Sequence, residues 1–154
     1  MEQVDTSLDK KVMVRSLAPW MTGAPRKTSS GDISIAPNGS ILLSREEIIS
    51  QVQHGNRLFI GVDGIGGHAT WYVEDAFTRN ELSFDTEDNK QVFLSRDMVK
   101  KMFSVRNMTS FESEIRKNVV TRAEKAFLIE SIKVLKLNDY DKISFCLTYT
   151  GLKM

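Results

Sequence analysis

From Gly61 to His68 the chain reads Gly-Val-Asp-Gly-Ile-Gly-Gly-His, where backbone freedom and titratable side chains coincide. A phosphate cradle needs glycine N–H groups around the anion, a lysine to neutralise it and a helix opening behind it. The run from Gly61 has the outer glycine spacing of such a loop. Gly67 and His68 stand where a lysine and a hydroxyl residue are required, and a strand-like segment follows, not a helix. The glycine spacing of a dinucleotide loop is also missing.

A metal site is no better specified. His54, His68 and Cys146 lack the paired spacing that zinc requires. Asp63 and His68 can face each other across the loop, with Asp75 joining them, although hydrogen bonds that fix the turn explain the same residues more simply. The acidic stretch Asp85–Lys90 lacks the glycine and terminal glutamate of a calcium loop. Hydrolysis needs an activated nucleophile. There is no Gly-x-Ser-x-Gly elbow, and Cys146, between Phe145 and Leu147, reads as a buried thiol. The pairs Glu46-Glu47 and Glu74-Asp75 are explained by surface charge. The expectation is a non-enzymatic protein without cofactor or metal, in which Asp63, Gly64, Gly66, Gly67 and His68 form a shaped protein-contact turn. Trp20, in a segment rich in Pro and Gly, is the expected second anchor. Trp71 is expected in the core.

Nucleic acid is a possible partner but not the favoured one. Arg96, Lys100, Lys101 and Arg106 cluster on and just after an expected helix, where they could meet phosphates. Against this, 21 basic and 20 acidic residues give a net charge of +1. That balance argues against strongly cationic nucleic-acid binding and equally against an acidic mimic of DNA. No apolar run approaches the ~20 residues of a membrane span, and the polar start does not read as a secretory signal.

The elements that must position these residues suggest an α+β protein: small N-terminal β-hairpins with short helices, then a mainly helical part over 106–154. Residues 1–31, punctuated by Pro19, Gly23, Pro25 and Gly31, read as an extended arm, and 32–154 as a single compact domain. Ile33 and Ile35, the turn Pro37-Asn38-Gly39, and Ile41–Leu43 predict a first hairpin. Leu58–Val62 and Ala69–Val73 predict a second hairpin around the glycine turn. Ser44 with Glu47, Thr109 with Glu112, and Thr121 with Glu124 have capping-box spacing; Ser95 and either Asp75 or Thr78 are further cap candidates. The first helix should bury Ile48, Ile49 and Val52. The helix after Thr121 should bury Val120, Ala123, Phe127, Ser131, Val134 and Leu135. Residues 140–150 fit either period and lean to helix, with Asn138-Asp139 as cap and Gly151 as stop.

From Gly31-Asp32-Ile33 through Ser44-Arg45-Glu46-Glu47-Ile48, and from Gly55-Asn56-Arg57-Leu58-Phe59 through Gly67-His68-Ala69-Thr70, the chain resembles small proteins of tailed bacteriophages and related mobile elements. The resemblance covers most of the chain after residue 14, and its motifs define no chemistry. It implies a setting: a structural or accessory component of a virion head, neck or tail, in contact with other virion proteins or copies of itself. The alternative is a protein of the bacterial host cytoplasm that inhibits a host factor or binds nucleic acid.

Overall fold

The computed structural model describes residues 6–154. In chain order the elements are β1 (Lys11–Ser16), β2 (Thr22–Pro25), β3 (Asp32–Ile35), β4 (Ser40–Ser44), α1 (Arg45–Gln53), α2 (Arg57–Ile60), β5 (Trp71–Val73), α3 (Ala76–Glu81), α4 (Arg96–Phe103), α5 (Met108–Asn118), α6 (Arg122–Val134) and α7 (Tyr140–Thr150). The fold is α+β, with two small antiparallel sheets followed by a helical half.

Of the segment expected to be an arm, residues 1–5 lie outside the described residues, and from β1 onward it belongs to the body. β1 is the middle strand of a three-stranded sheet ordered β4-β1-β5, with Val12 opposite Leu43 and Val14 opposite both Ile41 and Val73. Val12, Val14 and Ser16 point inward while Lys11 and Arg15 point out. That two-residue period was present in the sequence but only three positions long. Of the Pro and Gly residues after it, Gly23 and Pro25 lie within a strand and Gly31 in the turn that follows, in a second sheet where β2 pairs with β3 from Thr22↔Ile35 to Pro25↔Asp32.

The expected pairing of β3 with β4 does not form. Pro37-Asn38-Gly39 does make a turn, with Asn38 at φ 53° and Gly39 N–H donating to Ala36 O, but it carries the chain from one sheet to the other. The turn chemistry was legible; the partner of each strand was not.

Glu47 also departs from its expected place. Ser44 caps α1 by accepting from Glu47 N–H, yet the Glu47 carboxylate accepts from the Lys27 and Thr28 N–H groups and the Thr28 hydroxyl at 2.9–3.2 Å. It therefore clamps the β2–β3 turn, and Gln51 assists by donating to Pro25 O and to Glu47. The buried face of α1 is accordingly Arg45, Glu47, Ile48 and Gln51, while Ile49 and Val52 are half-buried. Burial opposes ionisation of Glu47, but these donors outweigh it and hold its carboxyl below the usual value.

Other helix ends follow local chemistry. Asp75 caps α3, Ser95 caps α4, and Thr121 with Glu124 forms a complete capping box on α6. Residues 140–150 are helical, opened by Asp139 and stopped by Gly151 in the left-handed region. α5 starts earlier than its capping-box spacing predicts: Asn107 is the cap, accepting from Ser110 N–H, and Thr109 lies inside the helix. α6 buries Leu128, Ile129 and Ile132 along with Ala123, Phe127 and Ser131, whereas Val120 and Val134 are exposed.

Two apolar clusters result. One lies with the sheets and holds Val12, Val14, Ile33, Ile35, Leu43, Ile48, Phe59, Trp71 and Val73. Trp71 is buried there, edge-on to Phe59 at 5.1 Å, its indole N–H donating to the Thr22 hydroxyl at 2.7 Å. The other is formed mainly by α4–α7 around Val99, Phe111, Ile115, Leu128 and Ile132. The candidate site lies on the seam between them.

Candidate protein-contact site

The glycine loop is not a hairpin tip. Asn56 caps the short helix α2 by accepting from Leu58 N–H, and Phe59 on that turn enters the core beside Trp71. β5 pairs with β1, so the two runs expected to pair with each other do not. The Asn56 cap, followed by Arg57 and three apolar residues, opens a helical turn, and the open edge of β1 pairs with Trp71–Val73.

Gly61 has φ 69°, and the chain folds back on itself: Val62 N–H donates to Gly67 O at 2.9 Å and Gly66 N–H to Ile60 O at 2.8 Å. Asp63 Oδ1 accepts from Ile65 and Gly67 N–H at 2.9 and 2.8 Å, so the carboxylate closes the loop from within. Gly66, at φ 91°, is wedged against the 84–92 segment, where a Cβ would stand 2.9 Å from Phe84 Cγ and 2.8 Å from Gln91 Nε2. Gly61 and Gly66 thus allow close approach of the chain to itself, whereas Gly64, at φ 81°, has open space around it.

His68 turns away from Asp63. It has φ 58°, and its Nδ1 lies 2.9 and 3.0 Å from the two oxygens of Glu124. Glu124 is 4% exposed, and its Oε1 also accepts from Val120 and Thr121 N–H at 3.0 Å. One carboxylate thus caps α6 and pins the loop to the helical half. Asp75, expected near His68, is instead held by Arg45 at 2.9 Å. Burial raises the Asp75 pKa, but hydrogen bonds from Arg45 and Thr78 and the Arg45 charge outweigh it and lower the value overall. Among the described residues no group of three His, Cys, Asp or Glu could hold a metal ion. His54 is remote, on the exposed end of α1, with Nδ1 2.7 Å from Ser50 O.

Around this pin is a cleft of about 360 Å³. Its walls are the glycine loop, the 84–92 segment, and α4, α5 and α6; Phe84, Leu94 and Met98 give it an apolar floor. Ile65 and Val92, 58% and 61% exposed, stand at the mouth with Lys90 and Lys117. A shallower hollow of about 250 Å³ lies across His68, lined by Val62, Thr70 and Thr121 among others. Trp20, beyond Thr121, stacks over the Arg122 guanidinium at 5.6 Å. The tertiary structure therefore brings Trp20 and the loop 61–68, 41 residues apart at their nearest ends, to the start of one helix. Sequence reading missed Glu124, Gln91 and Lys117; only the capping-box spacing of Glu124 was a usable signal.

A carboxylate holding an imidazole is a unit that hydrolytic sites use to raise basicity. Here the described lining of the larger cleft has no hydroxyl or thiol side chain. Thr121 Oγ1, in the hollow, is spent on Glu124 N–H. Cys146 is fully buried, and burial pushes its thiol up to about 12. Thr70 also lines the hollow beside His68. The Glu124–His68 contact holds the loop against the start of α6, with Ile65 and Val92 exposed nearby.

No family model, curated protein or solved structure matches the chain.

The four basic residues are not one patch. Lys100, Lys101 and Arg106 are exposed. Arg96 folds inward, its guanidinium over Phe127 at 5.1 Å and its nitrogens on Ser131 Oγ at 3.2 Å and Glu130 at 3.4 Å. Among the described residues, no helix is long and apolar enough to cross a membrane.

Proposed function

We propose that this protein is a non-enzymatic structural or accessory component of a bacteriophage particle, acting through contacts with other virion proteins or copies of itself. The observation that carries the contact reading is the rim of the seam. Trp20, Val62, Ile65, Val92 and Val120 are all exposed there, around polar groups already satisfied internally by Asp63 and Glu124. Apolar side chains on a pre-ordered frame lose little entropy on binding, which suits a contact surface. The setting rests on the sequence resemblance. The test is mass spectrometry of particles produced by the bacterium that carries the gene. The chain should be present in repeated copies, and an Ile65→Asp, Val92→Asp chain that retains its circular dichroism should be excluded. Particles lacking the wild-type chain would overturn the reading.

A second reading, a nucleic-acid-binding or host-factor-inhibiting protein, is supported by Lys100, Lys101 and Arg106. They are exposed and make no ion pair with a described residue. Its nucleic-acid form requires DNA binding that weakens steeply with salt and is lost when those three are replaced.

A further inference from the structure

The cleft on the seam carries a specific charge pattern. Its two carboxylates are internally engaged, Asp63 by loop N–H groups and Glu124 by His68 and two N–H groups. Its two ammonium groups, Lys90 on the 84–92 wall and Lys117 on α5, make no ion pair with a described residue. Glu87 and Asp88 lie on the turn beside Lys90 but outside the lining. The Gln91 side chain donates from Nε2 to Gly66 O, which fixes its orientation and leaves Oε1 buried without a donor. An apolar floor, two unpaired cations and an unfilled acceptor fit an apolar side chain flanked by acids and carrying hydrogen-bond donors.

This chain presents such a segment. Tyr140 is 80% exposed, the most exposed of the large apolar side chains described, and it alone among them has an acid on both sides, Asp139 and Asp141. Asp139 is engaged within the chain, capping α7 through Lys142 N–H and lying 3.6 Å from Lys142 Nζ, whereas Asp141 makes no ion pair with a described residue. Tyr140 lies outside its own cleft, whose lining does not include it. Lys142 Nζ donates to Phe103 O at 2.6 Å, which fixes the start of α7 at the far end of α4 from Met98. We propose that one copy of the protein seats Tyr140, with Asp141 beside it, in the Lys90–Lys117 cleft of the next. Such a contact joins two different surfaces of the chain: made reciprocally across a two-fold axis it closes a dimer, and made in one direction it propagates into a ring or a filament. It rests on the contact reading above and names the partner of that same site.

Sedimentation velocity of the full chain, at concentrations up to about 1 mM and at two salt concentrations, tests it. Association should weaken at high salt. Tyr140→Ala should weaken it by about tenfold or more, and Lys117→Glu and Asp141→Lys each by about two- to fivefold. Mixed on one chain, Lys117→Glu with Asp141→Lys should recover association to within about twofold of wild type, since each reversed charge then meets its opposite. These residues are at the surface, and circular dichroism checks that each variant is folded. A wild-type monomer at every concentration overturns the proposal, as does association indifferent to Tyr140→Ala or a combined variant no better than the product of its single changes. A monomer that still enters particles in an Ile65-dependent way refutes the copy-to-copy contact and leaves the contact reading standing. Failure of both refutes both.

Discussion

Replacing Glu124 tests whether one carboxylate holds the seam together. Its Oε1 serves as acceptor for His68, Val120 N–H and Thr121 N–H, and the residue is 4% exposed. Glu124→Ala removes the reciprocal half of the capping box, worth about 1 kcal/mol, together with charge-assisted bonds of about 1.5–3 kcal/mol. These share one oxygen and do not add in full, so the expected loss is about 3 kcal/mol. In a chain of this size that is a fall in melting temperature of roughly 6–12 °C. Glu124→Gln keeps an oxygen for the two N–H groups and should cost about 1 kcal/mol. His68→Ala removes the other end of the pin. Urea unfolding of the two alanine variants and their combination should give a coupling energy of about 1–2 kcal/mol. Glu124→Ala within about 0.5 kcal/mol of wild type, or additive losses in the cycle, would refute the pin.

Three further outcomes follow from the geometry. Gly66→Ala places a methyl against Phe84 and Gln91 at a positive φ, and should cost about 2–3 kcal/mol in the same unfolding assay. Cys146, buried with its thiol raised to about 12, should be silent to a thiol-specific reagent at neutral pH and react fully in denaturant. Glu47 and Asp75 have folded pKa values below their ordinary ones. They contribute stability at neutral pH that is lost as the pH falls through the ordinary carboxylate value, about 4, toward the lower folded ones. The melting temperature should drop in that window, and the drop should be smaller in Glu47→Gln.

The sequence by itself determined what is local. Ser44, Asp75, Ser95 and Thr121 each cap a helix because a cap reaches only two or three residues along the chain. Gly151 stops α7 for an equally local reason. Burial of Trp71 and Cys146 was legible from their apolar neighbours. Tertiary structure decided the partners. A strand's pairing is set by whichever edge is open, so β1 became the middle of a sheet, and neither expected hairpin paired. Glu47 and His68 have side chains long enough to leave their own turns, and each found a partner across the fold, the 26–31 turn and Glu124. The loop from Gly61 to His68 was conspicuous in the sequence because glycine is locally unusual. Its surroundings, the start of α6 with Lys117 and Trp20, were decided only by the fold, because no local signal links residues so far apart in the chain.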